Sequence, residues 1–424
     1  MRVCISLCLG LFFHATLLQA QSLDFATVHA MPKSVEKDYY IWRFLSRPQT
    51  TAIQARKIIL ETSHLNKKLR VAYKRKTKAN PPFACKTQDI TPDYIWKNRS
   101  AANKYFKQGL ALLRANNPKL AANYFDASRK YYQKRYEKDK ALFWLYLSTH
   151  NKTYLKYLQK SYSVNIYTLL AADAINGTYP KTITEEFRKK HLTGFDPKNP
   201  IIWATIKQRM RQSSNRQIDH MANYYAAQDS IGIYTYLKAE ACEHTKSYFP
   251  VPYRDAMRNM SASRQALIYA IARQESRFVP ASVSRSFALG MMQFMPFLIK
   301  DIAKKKGYHM DLDEMFNPYR AIEFADYHLN YLNKYLYHPL FVAYAYNAGI
   351  GFTKRYLQNS SHFRRGAYEP YMSIETMKNA EAREYGKKVL ANYVIYLNKL
   401  GVSTRITPLI KVLATPSQTD AFRK

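Results

Sequence analysis

Glycine is scarce in this chain: 12 of its 424 residues are glycine, whereas 36 are tyrosine. A β-rich protein needs many tight turns, and such turns depend on glycine. Long stretches instead repeat apolar residues every three or four positions, which is typical of amphipathic helices. The sequence therefore predicts an all-α fold, and its length predicts more than one domain.

The formal net charge is +36, from 66 lysines and arginines against 30 aspartates and glutamates. A charge of this size acts on partners more than on the fold, so nucleic acid, an anionic membrane and an anionic cell-wall polymer all have to be weighed. The basic residues are spread along the chain, and no zinc-finger or RNA-recognition signature is visible. We expect no nucleic-acid partner. A solvated basic surface and a preference for polyanions both stay open.

Residues 1–20 predict a secretory signal peptide. Met1 and Arg2 give a short positive start, residues 3–18 are mostly apolar, and Ala20 supplies a small residue at the cleavage site. The apolar run is short for a membrane span, and no other long apolar run occurs. We therefore expect a periplasmic protein without a stable membrane span after cleavage. A retained anchor is the alternative.

Two of the four cysteines, Cys4 and Cys8, leave with the predicted signal peptide. Cys85 and Cys242 remain, and in an exported protein they either form one disulfide or stay as two thiols. No His/Cys cluster has metal-ligand spacing, so we expect no metal and no cofactor.

Residues 21–250 predict an α-helical superhelical domain that ends in a linker. A helical hairpin is indicated by an Asn117-Pro118 turn and by residues at tetratricopeptide-like positions, namely Tyr105, Gly109, Leu112, Ala121 and Phe125. The Pro-punctuated stretch 248–253 is predicted to be extended and to lead into a second domain, 251–405. A C-terminal tail, 406–424, has no clear period.

The second domain contains clear helix signals. We expect Ser263 to cap a helix that runs to about Arg277, and Pro339 to open a shorter helix that Gly349 closes. On the first helix, Leu267, Ile271 and Glu275 follow one another at steps of four residues and so share one face.

Glu275 therefore continues an apolar row, where a charged side chain is rare without a reason. Desolvation raises the pKa of a carboxyl group, which allows such a group to act as a general acid near neutral pH. The alternative is a glutamate at the end of the helix that pairs with Arg273 or Arg277. Spacing alone does not separate the two.

Three sequence blocks carry a family resemblance. Residues 275–296 run from Glu-Ser through Phe278, Pro280, Ser284 and Gly290 to Met-Met-Gln-Phe-Met-Pro. Ala-Tyr-Asn-Ala-Gly follows at 345–349 and Glu-Ala-Arg-Glu-Tyr at 381–385. The first block resembles the signature of the soluble lytic transglycosylases, the lysozyme-like cell-wall enzymes. The second and third resemble that family's Tyr-Asn-Ala-Gly and Glu-Thr-Arg-x-Tyr.

The resemblance implies a lysozyme-like catalytic domain after the superhelix, with Glu275 as the catalytic residue. It implies that Glu275 protonates the β-1,4 bond between N-acetylmuramic acid and N-acetylglucosamine in peptidoglycan glycan strands. The same carboxylate would then take a proton from the C6 hydroxyl and leave a 1,6-anhydro end. Retaining glycosidases use a second carboxylate about 5 Å away, whereas no acidic residue occurs between Glu275 and Asp301.

The same matching implies the residues that bind substrate, each with a simpler alternative. The set is Ser284, Gln293, Met295, Tyr346, Asn347 and Glu381. Met295 is otherwise a core residue, Ser284 a cap and Asn347 an ordinary helix end. Glu381 is otherwise half of a surface pair with Arg383.

The chain departs from the family pattern at three positions. It has Phe287 where the family has Gly, Met291 where it has Leu, and Ile350 where it has Pro. We expect Phe287 to narrow the groove or to reshape the local turn.

Two other functions remain open. A goose-type lysozyme would use the same acid with water as the nucleophile. A catalytically silent periplasmic scaffold would bind glycan or other cell-wall enzymes through the superhelix.

Overall fold

The computed structural model describes residues 23–82 and 93–423. Within these ranges the chain forms α-helices, short 3-10 turns and isolated β-bridges, with no extended strand. The predicted all-α fold is confirmed. The predicted signal peptide 1–20 and Cys85 lie outside the described residues, so the Cys85–Cys242 pairing stays a prediction. The Sγ of Cys242 lies 3.4 Å from the carbonyl oxygen of Ala239.

The described residues fall into two compact units, one drawn from 1–86 with 199–205 and the other from 87–198 with 206–424. In the first unit the helices are α1 (Phe25–Ala30), α2 (Val35–Leu45), α3 (Ala52–Ile58) and α4 (Lys67–Thr77). Asp38 of α2 accepts hydrogen bonds from the backbone N–H groups of Ser63 at 2.7 Å and His64 at 2.8 Å. These bonds fix α2 to the turn that precedes α4.

The second unit begins with a run of helices, each packed against the next in most cases. These are α5 (Asp93–Arg114), α6 (Pro118–Tyr131), α7 (Arg135–Thr149), α8 (Thr153–Gln159), α9 (Ile166–Ala174), α10 (Pro200–Arg211, of which 206–211 belong here), α11 (Asn215–Asn223) and α12 (Ile231–Ala241). Such stacking is the arrangement of a helical superhelix.

The predicted hairpin at Asn117-Pro118 is confirmed. Asn117 caps α6 by accepting a 3.2 Å hydrogen bond from the Leu120 N–H, and Pro118 is its first residue. A Cβ at Gly109 would lie 2.6 Å from the ring of Phe125. Glycine at 109 therefore allows α5 and α6 to approach closely.

The rest of the second unit is also helical. Its elements are α13 (Ala262–Glu275), α14 (Pro296–Lys305), α15 (Pro318–Asn333), α16 (Pro339–Ala348), α17 (Ile350–Gln358), α18 (Tyr371–Thr376), α19 (Ala380–Lys399), α20 (Ile406–Lys411) and α21 (Pro416–Thr419). The long helix α19 packs against both α13 and α16. It therefore brings together residues that are far apart in the sequence.

Helix ends in this part follow local chemistry. Pro339 begins α16 and Gly349 ends it at φ 86°, as predicted. The predicted cap of α13 was wrong: Ser261, not Ser263, accepts the hydrogen bond from the Arg264 N–H at 3.2 Å. Both serines precede the apolar run, and the backbone begins its helix at the earlier one.

One hydrophobic core joins the superhelix to the helices that follow it. Phe106, Phe125 and Trp144 are buried together with Met372 of α18. The segment 248–253 is non-helical, with Tyr253 at a left-handed φ of 56°, and it packs against the rest of the chain. Phe249 is fully buried, and its N–H donates a 2.7 Å hydrogen bond to the Ile183 carbonyl oxygen.

Candidate active site

Glu275 is the last residue of α13, and the rest of its row is buried. Leu267 and Ile271, two and one turns earlier, face the core at 6% and 0% exposure. The Glu275 side chain itself is partly buried. The α13 helix therefore places a carboxyl group at the edge of the core, where solvent reaches it.

The surroundings of Glu275 keep a proton on it near neutral pH. Burial raises the pKa of Glu275 from 4.5 to about 7, a 2.7 Å hydrogen bond from the Tyr385 hydroxyl lowers it, and the charge of Glu381 raises it. A group with a pKa of about 7 is present in both the acid and the base form at neutral pH. General acid–base chemistry needs this property.

The ion-pair alternative for Glu275 is wrong. The guanidinium of Arg273 donates to the Tyr248 carbonyl oxygen and to Asn392, each at 2.8 Å. Arg277 forms an ion pair with Glu240 at 3.2 Å. Both arginines therefore point to partners other than the acid.

Tyr346, on α16, lies beside the acid. Its hydroxyl donates a 2.9 Å hydrogen bond to the Met292 carbonyl oxygen. Burial raises the Tyr346 pKa well above its usual value, and the charge of Glu275 raises it further. Its ring packs edge-on against Phe294 and His328, with centroids 6.0 and 5.6 Å away. The phenol is thus neutral and fixed between α16 and the loop after α13.

That loop, residues 276–295, is tied together by its own polar side chains. Ser276 donates a 2.8 Å hydrogen bond to the Met291 carbonyl oxygen. The Gln293 amide donates to the carbonyl oxygens of Ser282 at 3.1 Å and Gly290 at 2.9 Å. The Ser284 hydroxyl accepts from the Ala288 N–H at 2.9 Å. Ser284 and Gln293 therefore have structural partners in the loop, and Met295 is partly exposed at the start of α14.

Backbone conformation explains the departure at Phe287. Its φ is 62°, a left-handed conformation that glycine adopts readily and that strains a bulky residue. The ring is fully buried, so it packs inward and does not narrow a groove. The backbone at Phe287 thus has a conformation that suits glycine, and the aromatic ring of Phe287 packs in the interior.

The other two predicted residues meet across helices. The Asn347 side-chain amide at the end of α16 donates a 3.3 Å hydrogen bond to Glu381 in the first turn of α19. The alternative pair between Glu381 and Arg383 is wrong, because Arg383 forms its ion pair with Glu384 at 3.1 Å. Glu275, Tyr346, Asn347 and Glu381 are thus brought together, whereas Ser284 and Gln293 organise the loop.

Sequence reasoning assigned no role to Tyr385, the residue that contacts the acid directly. Its signal was present, since Tyr385 is the last residue of the third block. Burial raises the Tyr385 pKa well above its usual value, so the hydroxyl keeps its proton and donates a hydrogen bond to Glu275.

No group of three His, Cys, Asp or Glu side chains within 23–82 and 93–423 could hold a metal ion. In the same ranges, every helix is too short or too polar to cross a membrane.

Comparison with known proteins agrees with this geometry. Residues 253–368 match the family model of the Transglycosylase SLT domain. The soluble lytic murein transglycosylase of Escherichia coli K12 is 26% identical over 206 residues, which cover 47% of this chain and 31% of the relative. That of Salmonella typhimurium is 26% identical over 205 residues, with the same coverage. The chain thus matches about a third of the length of these relatives.

Solved structures show a similar fold. The 70 kDa soluble lytic transglycosylase Slt70 of Escherichia coli superimposes with a TM-score of 0.50 at 18% identity, covering 94% of this chain and 68% of that one. A complex of the 70-kDa soluble lytic transglycosylase with bulgecin A gives 0.50 at 16% identity, with coverage of 95% and 72%.

The described fold is therefore all-α, like that of these soluble lytic transglycosylases, and Glu275 lies at the end of α13. Residues 253–368 therefore carry a Transglycosylase SLT domain.

Proposed function

We propose that this protein is a peptidoglycan lytic transglycosylase. It cleaves the β-1,4 bond between N-acetylmuramic acid and N-acetylglucosamine and leaves a 1,6-anhydromuramic acid end. The observation that carries this proposal is the Glu275 carboxyl group, whose pKa is about 7 and whose one hydrogen-bond donor in the described chain is the Tyr385 hydroxyl. The relatives named above, which are murein transglycosylases, support the choice of substrate.

In the first step, protonated Glu275 donates its proton to the glycosidic oxygen. The bond to the anomeric carbon breaks, and positive charge develops on the muramic acid. The Tyr385 hydroxyl then stabilises the carboxylate that remains, because a hydrogen bond to a charged acceptor is stronger than one to a neutral acceptor.

In the second step, the Glu275 carboxylate removes the proton of the C6 hydroxyl while that oxygen bonds to the anomeric carbon. The acid is regenerated and no water is consumed. One carboxyl group thus serves both half-reactions, which requires a pKa close to the working pH.

The remaining predicted residues have supporting roles in this proposal. Tyr346 and Asn347 at the end of α16, with Glu381, lie beside the reacting sugar. Gln293, Ser284 and Met295 give the loop that faces the muramic acid its shape.

The proposal places the enzyme in the periplasm, after removal of the signal peptide 1–20. Its superhelix spans 21–250, its catalytic domain 251–405 and its C-terminal tail 406–424. Other cell-wall enzymes are candidate partners of the superhelix.

Mass spectrometry of digested sacculi tests the reaction. We expect muropeptides that carry the 1,6-anhydro mass, and Glu275→Gln should lower their release by about a thousandfold while sacculus binding persists. Products with reducing ends would establish a goose-type hydrolase instead. Undiminished release by Glu275→Gln would reject Glu275 as the acid.

A further inference from the structure

A cavity of about 640 Å³ lies beside α13 and α19. Its walls come from the starts of α7 and α9, the segment after α12, the end of α13 and the middle of α19. On α19, Glu384, Lys387 and Lys388 face it, whereas Glu381 and Tyr385 face Glu275. The residues that surround the acid, namely Tyr346, Asn347, Glu381 and Tyr385, do not line the cavity, and neither does Glu275 itself. The cavity is therefore separate from the acid.

The cavity wall is strongly basic. Seven lysines and arginines line it, against two glutamates. Three of the seven have carboxylate partners: Arg135 pairs with Asp139, Arg277 with Glu240, and Lys387 with Glu375 and Glu384. The other four, Lys134, Lys246, Arg273 and Lys388, form no ion pair with any carboxylate in the described part of the chain.

Arg273 shows that the positive charge is not compensated. Its guanidinium bonds to neutral acceptors, the Tyr248 carbonyl oxygen and Asn392, and lies 3.8 Å from the centroid of the Phe249 ring. Burial lowers its pKa to about 10, Tyr396 opposes the shift, and the charge of Arg277 lowers it further. A partly buried cation without a counter-charge is costly, and a bound anion would offset that cost.

The ammonium group of Lys388 is subject to the same repulsion, although its side chain is exposed. Desolvation lowers the pKa of its ammonium group, Glu384 opposes the shift, and the charges of Lys134, Lys387 and Arg277 lower it further. Cations from the superhelix and from the catalytic domain thus repel one another across the cavity. An anion between them would relieve this repulsion.

The volume and the lining suggest the size and type of ligand. Pockets of several hundred Å³ take small molecules or a few peptide residues. Aromatic side chains, including Tyr136, Tyr162 and Tyr248, stand between the cations. A ligand with several carboxylates and some apolar surface matches this wall.

We infer that this cavity binds a short peptide bearing two or more carboxylates, as the stem peptides of peptidoglycan do. The polymer named here rests on the proposed function. The site would hold the peptide of a bound strand in a cavity that the acid does not line, and so would prefer strands that carry peptides to bare glycan.

Calorimetric titration of the full chain with a free stem tetrapeptide tests this site. The probe contains no glycosidic bond, so its binding is read independently of any cleavage, and a failure of the proposed reaction would not affect the result. We expect saturable binding that weakens with salt, because exposed charges are screened. Lys134→Gln with Lys388→Gln should weaken it by about tenfold or more, since two unpaired cations are lost.

Lys119→Gln with Lys156→Gln is the matched control. Both lysines are exposed and lie outside the cavity, and the net charge changes equally. We expect this double variant to bind like the parent, and a tetrapeptide with amidated carboxylates not to bind. Absence of binding by the parent, or equal weakening by both double variants, would overturn the assignment. If citrate bound as tightly as the tetrapeptide, the cavity would be a site for free small anions, and the stem-peptide assignment would be rejected.

Discussion

The hydroxyl of Tyr385 donates a 2.7 Å hydrogen bond to Oε1 of Glu275, although the two residues lie 110 positions apart in the sequence. This contact exists because α19 packs against α13 along its length. Burial favours the neutral acid, whereas the hydrogen bond favours the carboxylate. The pKa of about 7 reflects this balance together with the nearby charge of Glu381, and so Tyr385 helps to set the pH at which Glu275 works.

Tyr385→Phe should shift the alkaline limb of the pH–rate profile to higher pH. The substitution removes a hydrogen bond to the charged form, so the pKa of Glu275 rises further. The rate at the optimum should fall by about tenfold to a hundredfold, because a hydrogen bond to a charged group contributes about 1.5–3 kcal/mol. Muropeptide release measured across a pH series tests both effects.

Tyr344→Phe is the control, since it makes the same chemical change on α16. The Tyr344 hydroxyl is buried and has no hydrogen-bond partner in the described chain. Removal of the Tyr344 hydroxyl should leave the pH–rate profile unchanged. The free energy of unfolding should stay equal or rise. If the Tyr385→Phe profile coincided with that of Tyr344→Phe, Tyr385 would have no part in setting the pKa.

The stability of Glu275→Gln relative to the parent should be greater at pH 8 than at pH 5. The folded pKa of about 7 lies above the unfolded value of 4.5. Stability from the protonated acid is therefore complete below pH 4.5 and is lost as the pH rises through 7. The loss is at most about 3 kcal/mol, and less because the side chain is partly exposed.

Denaturant unfolding of both proteins at the two pH values gives this difference directly. The buried histidines His328 and His338, with pKa values lowered by burial to about 4 and about 3, are present in both proteins and cancel. A stability difference that did not change with pH would show that Glu275 is solvated like an ordinary surface acid.

Gly386→Ala should destabilise the protein by about 1–3 kcal/mol, the usual cost of overpacking. A Cβ at 386 would lie 2.2 Å from Cε1 of Tyr344, whose ring is fully buried between α16 and α19. Gly351→Ala is the control, because its Cβ would meet only an Arg355 nitrogen at 3.6 Å. Thermal unfolding of both variants tests the point, and equal melting temperatures would show that the two helices can separate freely.

Lys387→Met should cost about 3–5 kcal/mol of unfolding free energy. Its ammonium group is buried and bonds to both Glu375 oxygens at 3.2 Å and to the Tyr167 hydroxyl at 3.0 Å. Without Lys387, Glu375 remains as a buried carboxylate that has lost its ion-pair partner.

Lys388→Met controls for the loss of a lysine from the same turn, since Lys388 is exposed and forms no ion pair in the described chain. We expect it to change unfolding free energy by about 0.5 kcal/mol or less. Lys387→Met combined with Glu375→Gln should recover part of the loss. Equal effects of Lys387→Met and Lys388→Met would mean that the buried network adds no stability.

Local patterns predicted much of this structure. The row Leu267, Ile271 and Glu275 placed a carboxyl on a core-facing helix, and Pro339 with Gly349 marked the ends of α16. These signals act within a few residues, where periodicity and backbone preference are strong. The N-cap of α13 was harder to predict, since Ser261 and Ser263 can both cap a helix. Only the path of the preceding chain decides between them.

Contacts between distant segments could not be predicted in this way. Nothing local to Tyr385 indicates Glu275 as its partner, and Lys387 meets Tyr167 across 220 positions. Arg273 bonds to Asn392 and Arg277 pairs with Glu240, and both partners lie on other helices. Such pairs follow from how α19 packs, and a single sequence carries no record of that packing.

The aromatic cluster of Phe106, Phe125 and Trp144 has a consequence for anyone who truncates this protein. Because Met372 completes that cluster, a fragment beginning near residue 251 would lose the surface that covers α18. Its apolar side would face water, and the fragment would tend to aggregate. The acid-bearing helices and the helices α5 to α7 should therefore be produced as one polypeptide.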